Sequence, residues 1–456
     1  MQNFESMGSL MLQSDTICAI ATAYGIGGIS VVRVSGSEAV RIVDTLFVGK
    51  HRLGEVPSHS AHYGLIEREG KKLDEVVCTV FRAPHSFTGE DVVEIACHGS
   101  LYIQQELLRW LTACGARMAD RGEFTKRAFL NGRMDLTQAE AVADLIAARS
   151  EAEKDLALNQ LRGGISERIA ALREQLLTFT ALLELELDFA DHEDVEFADR
   201  SELRAVLSNA RQTIDRLIAS FEAGNAIKQG VQVAIVGAPN AGKSTLLNAL
   251  LGDERAIVSD IRGTTRDTIE DTLTLGGVQV RLIDTAGIQQ TDDTVELLGI
   301  ERSRRAVQRA HIVIELMDMT DPQPVVDADS LSARQVWLRV YNKADLVQDA
   351  ECRMSDICIS AKNGDILALQ ERLEQEVERL TYHSDSALVS NIRHYEALNS
   401  AGQALARVED GMNEGISGDL VAPDLHEALD ALGEITGQVT SQEVLNTIFE
   451  RFCIGK

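Results

Sequence analysis

The stretch from Val231 to Thr245, VQVAIVGAPNAGKST, admits few folds. A β-branched strand runs directly into Gly237, Gly242, Lys243 and Ser244 at the GxxxxGK[ST] spacing, and a helix-forming stretch follows. Such a loop works only between a strand and a helix, because backbone N–H groups and the helix N-terminus bind the phosphate. A parallel sheet with crossover helices is therefore expected. The rest of residues 231–375 reads that way: VQVRLIDTAG, HIVIEL and QVWLRVYNKAD alternate with helical stretches.

The motifs downstream specify the nucleotide. Lys243 neutralises β/γ charge, and Ser244 is a Mg²⁺ ligand. Asp284-Thr285-Ala286-Gly287 follows a second strand, with Asp284 reaching Mg²⁺ through water and the Gly287 N–H reaching the γ-phosphate. RGTTRD supplies Thr265 as the other Mg²⁺ ligand. Asn342, Lys343 and Asp345 end a third strand, where a carboxylate accepts the N1–H and N2–H₂ of guanine; adenine has no such donor pair. Ser360, Ala361 and Lys362 complete the set. With Asn240, Ala241, Gly242, Thr245, Ser259 and Thr264, these are the expected GTP contacts, and Lys243 is also a catalytic residue.

Ile288 stands where a water-orienting glutamine would follow the DxxG glycine. The catalytic charge must then come from elsewhere. Asn240 can place an oxygen near the β/γ bridge, and carbonyls around Ser259–Ile261 can cage a monovalent cation beside it, acting as an arginine finger does. Glu296 can orient the water; it reads equally as a solvated acid at a helix start.

Around this segment the texture changes. Residues 15–120 are β-rich α+β, with TICAIATA, ISVVRVSG, EVVCTVFRA and DVVEIACHG as strands and a helix at 101–114. Residues 134–225 and 380–450 are helical in composition, so an α/β domain is inserted into an all-helical one. Expected boundaries are a disordered extension at 1–14, an α+β domain at 15–119, helical halves at 120–222 and 379–456, and the inserted P-loop domain at 223–378. The fold class is multidomain α/β.

The formal charge of −27 excludes a general phosphate-backbone binder. Residues 1–140 hold 14 Lys/Arg against 17 Asp/Glu, so a polyanion would approach there, at Arg117, Arg121, Lys126, Arg127 and Arg133. The alternative is an ordinary solvated charged loop. Seven cysteines at irregular spacings read as reduced thiols. No eighteen-residue apolar run and no leader pattern occurs, so a cytoplasmic protein with no membrane association is expected. The acidic run ELELDFADHEDVEFAD fits no ion-site spacing and reads as a solvated segment.

DTICAIATAYGIGGISVVRVSG, PHSFTGEDVVEIACHG, RGEFTKRAFLNGRMDLTQAEAVADLI, GAPNAGKST with DIRGTTRD, and the closing FCIGK together resemble the MnmE (TrmE) family of tRNA-modification GTPases from about Asp15 to Lys456. The resemblance implies a homodimer whose GTPase domains meet across their nucleotides with K⁺ bound. It implies a heterotetramer with the FAD-dependent partner MnmG. It also implies transfer of an aminomethyl or carboxymethylaminomethyl group to C5 of the wobble uridine of certain tRNAs. The one-carbon donor is 5-formyl- or 5,10-methylene-tetrahydrofolate, placed at Arg33, Glu94, Arg133 and Lys456. K⁺ falls to Asn240, Ser259, Ile261 and Thr264, and Mg²⁺ to Ser244 and Thr265. Glu296 matches the water-orienting acid and Cys453 a functional thiol, a catalytic role set against simple packing. Tyr24, Ser100 and Arg133 depart from the usual residues of the family, which leaves the pocket shape open. Two other readings stand beside it: a signalling or assembly GTPase, and a folate-dependent methyltransferase regulated by GTP.

Overall fold

The computed structural model describes residues 15–188, 200–252, 271–283, 304–347, 357–382, 387–414, 416, 418–450 and 452–456. The expected 1–14 extension and most of the acidic run lie outside them. The chain divides into two compact units, residues 1–143 with 436–456, and residues 144–435.

In the first unit β1 (Ile17–Ile20), β2 (Gly27–Ser35), β3 (Phe47–Gly49), β4 (Ser60–Arg68), β5 (Lys71–Phe81), β6 (Val92–Gly99) and β7 (Arg117–Met118) form one sheet. Its order is β3-β4-β5-β6-β2-β1-β7. Alternation decides which face each residue takes. Val32 and Val34 are buried in the core with Cys78, Val93 and Ile95, under the helices Ala39–Asp44 and Leu101–Ala113, and the intervening Arg33 turns to the other face. A smaller cluster joins Phe129, Leu136 and Ala139 to Leu445, Ile448, Phe449 and Phe452, so residues 442–452 belong with this unit.

The second unit holds the α/β segment and the long helices. Its sheet runs β13 (Ile357–Cys358), β12 (Val336–Asn342), β11 (Ile312–Asp318), β8 (Val231–Val236), β10 (Val278–Ile283) and β9 (Asp271–Leu275), all parallel except the β9–β10 hairpin. The helices Gly164–Asp188, Arg200–Ala219, Ile392–Glu414 and Gly418–Thr436 share one apolar core, fed by Ile165–Leu217 before the sheet and Ala387–Ile435 after it. Gly224 is needed at the junction: the Val389 carbonyl oxygen lies 2.3 Å from where its Cβ would stand. The division into units falls after Ala143 and Ile435, so each of the expected helical halves, 120–222 and 379–456, contributes to both units. Composition cannot distinguish a helix that packs on the first sheet from one that joins the bundle. Cys358 is disulfide-bonded, against the expectation of seven reduced thiols. Among the described residues no helix is long and apolar enough to cross a membrane.

Candidate functional site

β8 ends at Val236 and the helix Lys243–Gly252 begins after residues 237–242. That loop is tight because its neighbours are close. The Leu316 carbonyl oxygen lies 2.3 Å from a Cβ placed on Gly237, and Asn342 Nδ2 lies 2.3 Å from one placed on Gly242, whose φ is +97°. Asn240 holds φ +64°, a region that asparagine tolerates better than most side chains. Lys243 Nζ folds back to donate to the carbonyls of Gly237 (2.8 Å) and Ala238 (2.9 Å), and burial lowers its pKa. A desolvated ammonium over a ring of backbone is suited to phosphate oxygens. Ser244 and Thr245 are exposed on the first helical turn.

Asn342, 3% exposed at the end of β12, ties the base-reading strand to this loop. Its Nδ2 donates to the Ala241 carbonyl at 2.8 Å, and its Oδ1 accepts from the Ala361 N–H at 3.0 Å. One side chain thus joins three of the expected motifs. Asp345 accepts from Ser360 Oγ at 2.6 Å. The Ala344 N–H donates to the Ile359 carbonyl at 3.1 Å, while Lys362 is exposed. Lys343, at φ +67°, pairs with Asp318 at 2.5 Å. The sequence reading missed Asp318; its signal was an acid ending a strand that lies beside the Asn-Lys-x-Asp strand. Ser259, Ile261, Thr264, Thr265, Asp284, Thr285, Ala286, Gly287 and Glu296 lie outside the described residues, although β10 stops at Ile283, one residue before Asp284.

In the other unit Arg33 and Glu94 are cross-strand partners on β2 and β6. Arg33 reaches Glu94 Oε1 through Nε at 2.9 Å and through its terminal nitrogen at 2.8 Å. Its guanidinium carbon stands 5.1 Å from the Phe87 ring centre and 5.6 Å from that of Phe124, a geometry that holds it by cation–π attraction. Sequence reading missed both rings. Arg133 is exposed and donates to the Ser86 carbonyl at 3.2 Å, against Gly89. The loop between β5 and β6 thus contacts Arg33 through Phe87 and Arg133 through Ser86.

Residues 452–456 run along the end of β1. Phe452 is buried, Ile454 bridges to Arg121, and Gly455 takes φ +95° with the Ile20 carbonyl oxygen 2.0 Å from where a Cβ would stand. Cys453 is exposed and Lys456 half-buried. Their neighbour β1 pairs Ala19 with Arg33, so the fold brings this segment to the strand next to the Arg33–Glu94 pair. Burial pushes the thiols of Cys18 and Cys78 up to about 12 and that of Cys97 to about 11, which leaves them inert.

The expected basic patch is reduced. Arg127 is buried against Asp15, Glu90 and Glu123, and Arg117 pairs with Asp15 and Glu123. Both are consumed internally, the buried Arg127 because a desolvated guanidinium needs carboxylate partners, and the half-buried Arg117 by sharing two of them. Arg121, Lys126 and Arg133 remain. Among the described residues no group of three His, Cys, Asp or Glu is placed to hold a metal.

Residues 136–453 match the profile of the MnmE helical domain, and residues 16–133 that of the GTP-binding protein TrmE N-terminus. The tRNA modification GTPase MnmE of Parabacteroides distasonis is 49% identical over 462 residues, covering 97% of this chain and 100% of the relative. Its namesake in Cytophaga hutchinsonii is 49% identical, covering 97% and 98%. That of Bacteroides thetaiotaomicron is 47% identical, covering 98% and 100%.

Proposed function

The chain belongs to the MnmE family of tRNA modification GTPases, and from that premise we propose that it hydrolyses GTP at the β8 loop and uses the turnover to drive modification of tRNA in the cytoplasm. The observation that carries the GTP reading is Asn342. Phosphate loop, base-reading strand and Ser360-Ala361 segment are tied by its two hydrogen bonds, so phosphate and guanine are read by one rigid unit. The narrow clearances at Gly237 and Gly242 and the desolvated Lys243 fit a polyphosphate. Ser244 and Thr265 would hold Mg²⁺, with Asp284 behind them. Asn240, Ser259, Ile261 and Thr264 would hold K⁺, which would supply positive charge beside the β/γ bridge. Glu296 would orient the attacking water.

The finer reading concerns the Arg33–Glu94 pair. Arg33, Glu94, Arg133 and Lys456 fit a 5-formyl- or 5,10-methylene-tetrahydrofolate, whose pterin carries amide-like donors and whose glutamate tail is anionic. What supports it is the Arg33 guanidinium held between Glu94 and the Phe87 and Phe124 rings, and the approach of residues 453–456 to the adjoining strand. Cys453 would act at that site. A homodimer working with the FAD-dependent MnmG would install the aminomethyl or carboxymethylaminomethyl group on C5 of the wobble uridine. The domains proposed for these roles are 15–119, 120–222 with 379–456, and 223–378.

The test is a nucleoside profile of tRNA from a deletion strain carrying wild-type protein or Cys453→Ser, with GTP turnover measured in K⁺ and in Na⁺ at equal ionic strength. Wild type should restore the C5 modification and Cys453→Ser should not, while both turn over GTP faster in K⁺. Normal modification by Cys453→Ser removes the thiol from the mechanism. Equal rates in the two salts remove the cation.

A further inference from the structure

The geometry points to Asp318 as a positioning residue for guanine selection, acting through Lys343. This rests on the guanine-nucleotide reading above. Asp318 is the last residue of β11 and the parallel partner of Asn342 on β12. Its carboxylate takes three donors: Lys343 Nζ on Oδ2 at 2.5 Å, and on Oδ1 the Thr320 N–H at 2.9 Å and Thr320 Oγ at 2.6 Å. The turn carrying Thr320 is closed by the Met319 N–H on the Asn342 carbonyl (3.0 Å) and the Asp321 N–H on the Asp318 carbonyl (3.1 Å). The carboxylate is thus fixed from its own turn before it meets the lysine.

Two consequences follow for the base site. Lys343 is held at both ends, by a left-handed backbone at φ +67° and by its ammonium on Asp318. Its four-carbon stem is thereby fixed in place, where an unrestrained lysine would sample many rotamers. The second consequence is electrostatic. Lys343 and Asp345 are two residues apart, and Asp345 has to keep an oxygen open for guanine N–H donors while Ser360 occupies Oδ1. With Asp318 present the ammonium is engaged elsewhere. Without it, the ammonium is released from that anchor two residues from Asp345, and pairing there would mask the guanine acceptor. Asp318 never touches the nucleotide on this account.

The test is a double-mutant cycle on the full chain, read as GDP and ADP affinity. Asp318→Ala should weaken GDP binding about tenfold and shrink the GDP-over-ADP preference by the same factor, since only the base end is affected. Asp318→Asn keeps the Thr320 bonds but not the charge, so it should weaken GDP about threefold and serves if the alanine variant fails to fold. In a Lys343→Ala background neither change should have further effect. Wild-type GDP affinity in both Asp318 variants overturns the proposal, as does an undiminished loss in the Lys343→Ala background, which would mark a merely structural role. A wild-type protein that binds ADP as well as GDP overturns the guanine reading itself.

Discussion

Replacing Gly455 with alanine tests whether residues 453–456 must sit on β1 for activity. Gly455 holds φ +95°, and an added Cβ would stand 2.0 Å from the Ile20 carbonyl oxygen and 3.2 Å from Ala21 Cα. These are backbone atoms and cannot swing aside. The left-handed conformation alone costs a side-chain-bearing residue on the order of 1–3 kcal/mol, before the overlap is counted. Against it stand the Arg121–Ile454 bridge and two long bonds on the Cys453 carbonyl, from Gly122 N at 3.5 Å and Lys456 N at 3.4 Å. Backbone bonds contribute roughly 0.5–1.5 kcal/mol each. Strain therefore equals or exceeds the hold, and the segment beyond the buried Phe452 should detach about 10-fold or more of the time relative to wild type. Global stability should barely change, because Phe452 and its cluster stay in place. Amide hydrogen exchange of peptides covering 452–456 and 119–124 should rise, tRNA modification should fall by a similar factor, and GTP turnover should persist. Unaltered exchange together with unaltered modification would refute the link between this close approach and the reaction.

Gly242→Ala would drive a methyl into Asn342 Nδ2 at 2.3 Å. Breaking the Asn342 bonds leaves a buried amide unpaired at about 1–3 kcal/mol, so nucleotide affinity should fall at least tenfold with the circular dichroism unchanged. Glu123 has a lowered pKa: burial raises it, but the bonds from Arg117, Asp120 N–H and Arg127 outweigh that. Its contribution is therefore complete above the ordinary value of 4.5 and is lost as pH falls through the lower folded value. Glu123→Gln should destabilise by roughly 2–4 kcal/mol at neutral pH, and its melting temperature should converge on wild type as pH drops below about 4.5.

Much of the second unit was legible because its chemistry depends on local order. A strand, a glycine loop and a helix must be contiguous to bind phosphate, so residues 231–245 identify both their own structure and the surrounding parallel sheet. Short-range alternation likewise located β1, β2, β5 and β6, since the period of two reports a one-sided sheet directly. What lay beyond reach was long-range pairing. That residues 442–452 pack with Phe129, Leu136 and Ala139, while the helix before them packs with Ile165–Leu217, depends on which apolar stripe meets which, and stripes of leucine and alanine look alike. The fate of charges was hidden for the same reason. Arg117, Arg127 and Arg133 are alike in sequence, yet the first two are neutralised by Asp15, Glu90 and Glu123, while Arg133 stays exposed. Asp318 meets Lys343, and Phe87 meets Arg33, only because adjacent strands and a loop bring distant residues within a few ångströms. Residue type and spacing determined which groups could do the chemistry; tertiary packing decided which of them are held, and by what.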